Sequence, residues 1–145
     1  MFRFNWVLLN KLAVGSYPRE TSNFKKLTDE GISSILCLCD NSEIKTDQNK
    51  INKFSFNQFP LPDHRSKRFP TLNEINQVID LLENLINNGP VFIHCYAGIE
   101  RSPLICMAWL IKKHNLSSLE ALQYMMEVNP GSNPLPGQLK ILDSL

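Results

Sequence analysis

The chain has 145 residues, of which 43% are hydrophobic and 20% charged, enough to fold around a core of its own without disulfides or metals. Its formal net charge of +1 and the lack of any lysine-arginine block argue against a nucleic-acid partner. No apolar run approaches the ~18 residues of a membrane span, so no membrane crossing is expected.

Residues Phe2 to Val14 read as two short strands broken near Asn10-Lys11. A short helix is predicted from about Asn23 to Glu30, with Gly31 as its stop. Ile32 to Cys39 is a nearly continuous apolar run, which suits a strand buried on both faces of a parallel sheet. The polar stretch Asn41 to Lys53 fits a helix or a loop equally well. Phe54, Phe56 and Pro60 bracket another strand, which ends at Leu61-Pro62-Asp63-His64.

Thr71 and Glu74 form a capping-box pattern, after which Leu72, Ile75, Val78, Ile79, Leu82 and Leu85 recur on one helical face. Asn88-Gly89-Pro90 stops that helix, and Val91 to His94 is a short buried strand. The apolar segment Leu104 to Ile111 is too short to span a bilayer and reads as a buried helix. A second capping pattern, Ser117 with Glu120, opens a helix through Leu119, Leu122, Met125 and Met126, closed by Pro130-Gly131. The alternation of strands and helices predicts an α/β fold with a central, largely parallel twisted sheet flanked by helices. Ligands of such folds sit beyond the carboxyl ends of the strands, where Cys95 falls.

Cys95 and Arg101 are six positions apart (101 minus 95), with Gly98 between them and a helix after. Five intervening residues can curl so that successive backbone N–H groups converge on one small anion. Gly98 permits backbone angles that a side chain would oppose. Ser102 is expected as N-cap and Pro103 as the first helical residue, so that the positive helix end faces the same anion. A free cysteine thiol has a pKa of ~8.5, and converging amides, a helix N-terminus and Arg101 all favour its anion. Arg101 can also offer phosphate two parallel N–H donors, a fork that lysine lacks. Cys37, Cys39 and Cys106 are read as buried apolar residues, and no paired metal-ligand spacing is present.

His94 to Ser102 resembles the His-Cys-x-x-Gly-x-x-Arg-Ser signature of the protein tyrosine phosphatase superfamily, and the Ala97-Gly98 pair resembles its compact dual-specificity branch. The resemblance extends more loosely from about Leu12 to the C-terminus and implies one dual-specificity phosphatase-like domain over residues 1–145. It implies that Cys95 attacks phosphorus, that residues Tyr96, Ala97, Gly98, Ile99, Glu100 and Arg101 bind the phosphate, and that water then hydrolyses a phosphocysteine. It also implies that Ser102 assists the departing thiolate and that His94 orders the loop. Asp63, 32 positions before Cys95 (95 minus 63) and at a strand end, resembles the family's mobile general acid, with Asp40 as its substitute.

The substrates implied are phosphotyrosine and phosphoserine or phosphothreonine in proteins, or small phosphomonoesters, with no cofactor and no metal. Four cysteines without an export signal lead to the expectation of a reducing, cytoplasmic setting. Glu100 is a departure from the family pattern, since it puts a carboxylate inside an anion-binding loop. The basic residues His64, Arg65, Lys67 and Arg68 either attract anionic substrates or form a solvated surface. The rival readings are a catalytically silent phosphate-recognition module, a phosphoinositide phosphatase, for which the loop lacks lysines, and a rhodanese-like sulfurtransferase.

Overall fold

Short β-rich segments separated by amphipathic helices must bury apolar residues on both faces of whatever sheet they form. In a computed structural model describing residues 1–145, they do so around five strands. The elements in chain order are β1 (Phe4–Leu8), β2 (Leu12–Gly15), α1 (Thr21–Asp29), β3 (Ser34–Cys37), α2 (Gln48–Ile51), β4 (Ser55–Gln58), α3 (Leu72–Ile86), β5 (Val91–His94), α4 (Arg101–His114), α5 (Ser118–Val128) and α6 (Pro136–Leu142). The sheet order is β1-β2-β5-β3-β4. Only β1 is antiparallel to its neighbour; β2, β5, β3 and β4 run parallel. β5 is therefore the central strand, and the residue that follows it is Cys95.

The register explains why the strands read as continuous apolar runs. Ala13, Phe92 and Ile35 stand side by side across three strands, as do Val14, Ile93 and Leu36. Period-two alternation sends the two rows to opposite faces. The first row packs with Phe24, Leu27, Ile51 and Phe54 from the α1–α2 side. The second belongs to the larger core, with Ile75, Val78, Ile79 and Leu82 of α3 and the apolar length of α4. Every residue from Arg101 to Leu110 is buried, so α4 lies between the sheet and the outer helices. The donor of its buried Trp109 is satisfied by Glu83 of α3 at 2.6 Å.

Both capping patterns close as their sequences imply. Thr71 Oγ1 accepts from Glu74 N at 3.1 Å while Glu74 Oε1 accepts from Thr71 N at 2.9 Å. Ser117 and Glu120 reproduce this at 3.1 and 2.9 Å. Helix α1 begins two residues earlier than expected, because Asn23 Oδ1 reaches back to the amides of Arg19 and Glu20, each at 3.0 Å. The undecided stretch 41–53 proves to be a loop followed by the single turn of α2, capped by Asp47. No helix is long and apolar enough to cross a membrane.

Candidate active site

The loop from Cys95 to Glu100 joins the central strand to the buried helix, and its backbone is turned consistently one way. The carbonyl of Tyr96 accepts from Tyr17 N at 3.0 Å, and that of Gly98 accepts from Asn129 Nδ2 at 3.0 Å. The carbonyl of Ile99 accepts from Asn133 N, and that of Cys95 from His94 Nδ1 at 2.9 Å. None of the N–H groups of Tyr96, Ala97, Gly98, Ile99 or Glu100 donates to any other part of the chain. With the acceptors pinned outward, the donors are left to face the space between Cys95 and Arg101, a concavity suited to a small anion. Gly98 has φ +77°, and a Cβ there would lie 2.6 Å from the Gly15 carbonyl carbon, so this turn and its approach to β2 both require glycine.

The side chains converge on the same point. Cys95 Sγ lies 3.2 Å from Ser102 Oγ, and both residues are buried. That contact corrects the expected helix start. Helix α4 begins at Arg101 with Glu100 as its cap residue and no side-chain cap, so Ser102 is the second helical residue and Pro103 the third. The Ser102 hydroxyl is turned to the thiol instead of capping, and Pro103 is tolerated because first-turn N–H groups have no intrahelical partner anyway.

Arg101 is 2% exposed, and a buried guanidinium must be matched by acceptors. Glu43 grips it with both oxygens, Oε1 to Nη2 at 2.7 Å and Oε2 to Nη1 at 3.0 Å. The carbonyls of Leu38 and Leu61 accept from Nη1 at 3.2 Å each. Burial alone would lower the pKa of Arg101, but the Glu43 carboxylate and nearby thiols outweigh it and hold it above the ordinary value. The guanidinium is held in place by the chain itself. Glu43 sits in the undecided stretch 41–53 and was not foreseen as a site residue. Its turn is set by Asp40, whose Oδ1 accepts from Ser42 N at 2.9 Å and Glu43 N at 3.2 Å.

Asp63 is brought to the opposite wall, its Oδ2 3.8 Å from Arg101 Nη2. Arg65 grips it through N to Oδ1 at 3.0 Å and Nε to Oδ2 at 2.9 Å, and reaches Glu43 Oε1 at 3.1 Å. Burial raises the Asp63 pKa, yet the Arg65 amide and guanidinium, with Arg101, pull it below the usual carboxylate value. Asp63, Cys95, Arg101, Tyr96 and Ile99 line one cavity of about 700 Å³. Asp40 lines a separate neighbouring cavity instead, and its carboxylate is committed to its own turn. Of the four basic residues after Asp63, His64, Arg65 and Arg68 have carboxylate partners in Glu100, Asp63 and Glu74, and Lys67 stands exposed.

Behind the loop, His94 is 1% exposed, its ring stacked between Tyr17 at 6.2 Å and Phe92 at 5.8 Å. Its ligand nitrogen and the thiols of Cys37 and Cys39 lie within 4.8 Å of one another, all buried. The hydrogen bond between the two thiols and their burial push Cys39 far up, and the Arg101 guanidinium lies 4.0 Å from Cys39 Sγ. A neighbouring fixed cation disfavours a divalent metal there, so this cluster does not extend the site. Asn129, fully buried, was also missed. It ties Gly98 to the N-terminal strand, accepting from Asn5 Nδ2 at 2.8 Å through Oδ1 while donating to the loop.

Strand, anion loop, thiol and arginine define a class of cysteine phosphatase fold, and comparison with known proteins narrows it. The chain belongs to the family described as dual specificity phosphatase, catalytic domain, which matches residues 13–144. Dual specificity protein phosphatase 9 of Homo sapiens is 31% identical over 131 residues, covering 88% of this chain and 32% of that protein. Dual specificity protein phosphatase PHS1 of Arabidopsis thaliana is 26% identical over 116 residues, covering 79% of this chain but 12% of that protein. The chain thus spans a minor part of these relatives' length. Among solved structures, Tk-PTP in the active form superposes with a TM-score of 0.85 at 21% identity, covering 98% of this chain and 95% of that one. The human tyrosine phosphatase-like serine/threonine/tyrosine-interacting protein superposes at 0.82 with 23% identity, covering 97% and 93%. These likenesses establish the fold.

Proposed function

We propose that this domain hydrolyses phosphate monoesters on proteins, phosphotyrosine together with phosphoserine and phosphothreonine, through a phosphocysteine at Cys95. The observation that carries the reading is the row of N–H groups from Tyr96 to Glu100 that no other part of the chain accepts, between the Cys95 thiol and the Arg101 guanidinium held by Glu43. Phosphate oxygens bind the amides and Arg101, which bear the charge that spreads over them in the transition state. The Cys95 thiolate attacks phosphorus and the ester P–O bond breaks, while the Asp63 carboxyl gives its proton to the departing oxygen. In the second step Asp63, now a carboxylate, takes a proton from water, whose oxygen bonds to phosphorus as the P–S bond breaks. Ser102, 3.2 Å from Sγ, donates to the departing thiolate.

Asp63 is anionic beside Arg65, so its acid role requires the incoming phosphate dianion to offset the pull of the two arginines. Tyr96, 47% exposed at the rim, and Ile99 offer apolar surface to the residue that bears the phosphate. The loop carries Glu100 and no lysine, which favours a singly phosphorylated side chain over a polyphosphorylated lipid headgroup. Four unpaired, buried cysteines suit a reducing compartment, and we assign the domain to the cytoplasm on that ground.

The test is hydrolysis of a small aryl phosphate in the presence of EDTA by wild type, Cys95→Ser and Asp63→Asn. Turnover by wild type, its loss in Cys95→Ser and a drop of about 10²–10⁴-fold in Asp63→Asn support both roles. Absence of turnover by fresh, reduced protein from mildly acidic to neutral pH contradicts the reading and leaves a phosphate-recognition module.

A further inference from the structure

Glu100 is the residue that the anion-binding loop should least tolerate, yet its carboxylate has a defined task. Its side chain is 12% exposed, and both carboxylate oxygens have partners outside the loop. Oε1 accepts from His64 N at 3.3 Å and from His64 Nδ1 at 2.9 Å. Oε2 accepts from Gln138 Nε2 at 2.9 Å. Gln138 is 1% exposed, and its own Oε1 accepts from Leu135 N at 2.7 Å at the start of α6. One carboxylate therefore joins three segments that are distant in the chain.

His64 directly follows Asp63. The hydrogen bonds Asp63 makes with Arg65 and Ser66 lie within its own turn and cannot by themselves fix that turn against the rest of the molecule. Two contacts do so on either side of it. Arg65 reaches Glu43, which holds Arg101, and His64 reaches Glu100, one residue before Arg101. The second ties the residue next to Asp63 to the residue before Arg101, and adds to the bond from Arg101 Nη1 to the Leu61 carbonyl, which holds the same segment two residues earlier.

We propose that Glu100 and His64 form a clamp that positions Asp63 over the Cys95–Arg101 cleft, with Gln138 orienting the carboxylate from behind. The Glu100 carboxylate acts through His64 and touches no reacting atom; in this role Glu100 is a positioning residue. Saturating both its oxygens with donors also screens its charge from the bound phosphate. The inference rests on Asp63 being the general acid. Misplacing an acid by a fraction of an ångström weakens proton transfer while leaving thiolate attack intact. The cost must therefore grow with how badly the departing oxygen needs a proton.

The experiment compares kcat for phenyl phosphate, a poor leaving group, with kcat for dinitrophenyl phosphate, a good one, in His64→Ala, His64→Asn and Asp63→Asn. The clamp predicts that His64→Ala loses roughly tenfold on phenyl phosphate and less than about twofold on dinitrophenyl phosphate. His64→Asn keeps an N–H donor near the position of Nδ1 and recovers most of that loss. Adding Glu100→Ala to His64→Ala should leave the ratio of the two substrates' kcat values where His64→Ala sets it, because the carboxylate reaches the acid only through His64. If Asp63→Asn is selective for phenyl phosphate but His64→Ala lowers both substrates equally, or neither, the clamp is overturned and the acid stands. If Asp63→Asn shows no selectivity, the assignment of the acid fails and takes the clamp with it.

Discussion

The residues from His94 to Pro103 are consecutive in the chain, whereas the carboxylates facing them come from positions 43 and 63, on two loops beyond other strands. The first region is specified locally. A strand end, a glycine at φ +77° and a helix start set the turn of the loop, and Tyr17, Asn129 and Asn133 then hold its carbonyls. The second region is specified by assembly. Glu43, Asp63, Arg65 and Arg101 form a ring of ion pairs whose members the chain gathers from three segments. The contrast teaches that the residues proposed to bind phosphate lie in one short segment. The groups that tune them are distributed over several.

Breaking the local half should do the most damage. Arg101→Lys keeps the charge but loses the fork, and kcat/KM for an aryl phosphate is expected to fall about 10²–10³-fold, on the scale of removing a preorganised transition-state donor. Breaking the distributed half should cost less. Glu43→Gln keeps one of the two side-chain acceptors for the guanidinium and removes the opposing charge, for an expected loss of roughly tenfold in steady-state kinetics, since a buried cation is left partly uncompensated.

A smaller and more diagnostic effect should follow from Arg65→Ala. Burial pushes Asp63 up while Arg65 holds it down, so without the guanidinium Asp63 keeps its proton to higher pH. The alkaline limb of the kcat/KM profile that reports this acid should move to higher pH, with the rate at the optimum changed only a few-fold; an unmoved limb would separate Asp63 from that limb. The smallest effect belongs to a capping box remote from the site. The Arg68 guanidinium and the Thr71 amide, against the opposing effect of burial, hold Glu74 down to about 2. Glu74→Gln should therefore lower stability by no more than about 1 kcal/mol at neutral pH with activity retained, the half-exposed Arg68 limiting the loss. Because the folded pKa is depressed, that difference is fully present above an unfolded carboxyl value near ~4.3 and vanishes as pH falls toward 2, which chemical denaturation at several pH values would show.

What the sequence made legible follows the same division. Cys95, Arg101, Gly98 and the two capping boxes are patterns within ten residues, and such patterns need only local stereochemistry. The strand rows through Ala13, Phe92 and Ile35 were legible as apolar runs, although the order that makes β5 central was not. Asp63 was reachable from its place after a strand, although β4 ends at Gln58 and Asp63 lies in the loop five residues beyond it, not at the strand end expected. Glu43, Asn129 and Gln138 were not reachable, because each is an ordinary polar residue whose meaning depends on what the fold sets opposite it: Arg101, the Gly98 carbonyl and Glu100. The Asp40-Asn41-Ser42-Glu43 turn pattern signals a bend and says nothing of its target. Among the local readings that shifted, Ser102 as helix cap did so because its hydroxyl lies 3.2 Å from the thiol.

The proposed covalent step is open to direct observation in Ser102→Ala, which retains Cys95 and removes the donor proposed to assist its departure. Reaction with an aryl phosphate, stopped by acid within the first turnovers and followed by peptide mass mapping, should place one phosphoryl group on the peptide containing Cys95. That species should accumulate further than in wild type and be absent from Cys95→Ser. Release of phosphate at the wild-type rate with no phosphoryl group on Cys95, or with the group on another residue, would contradict the mechanism.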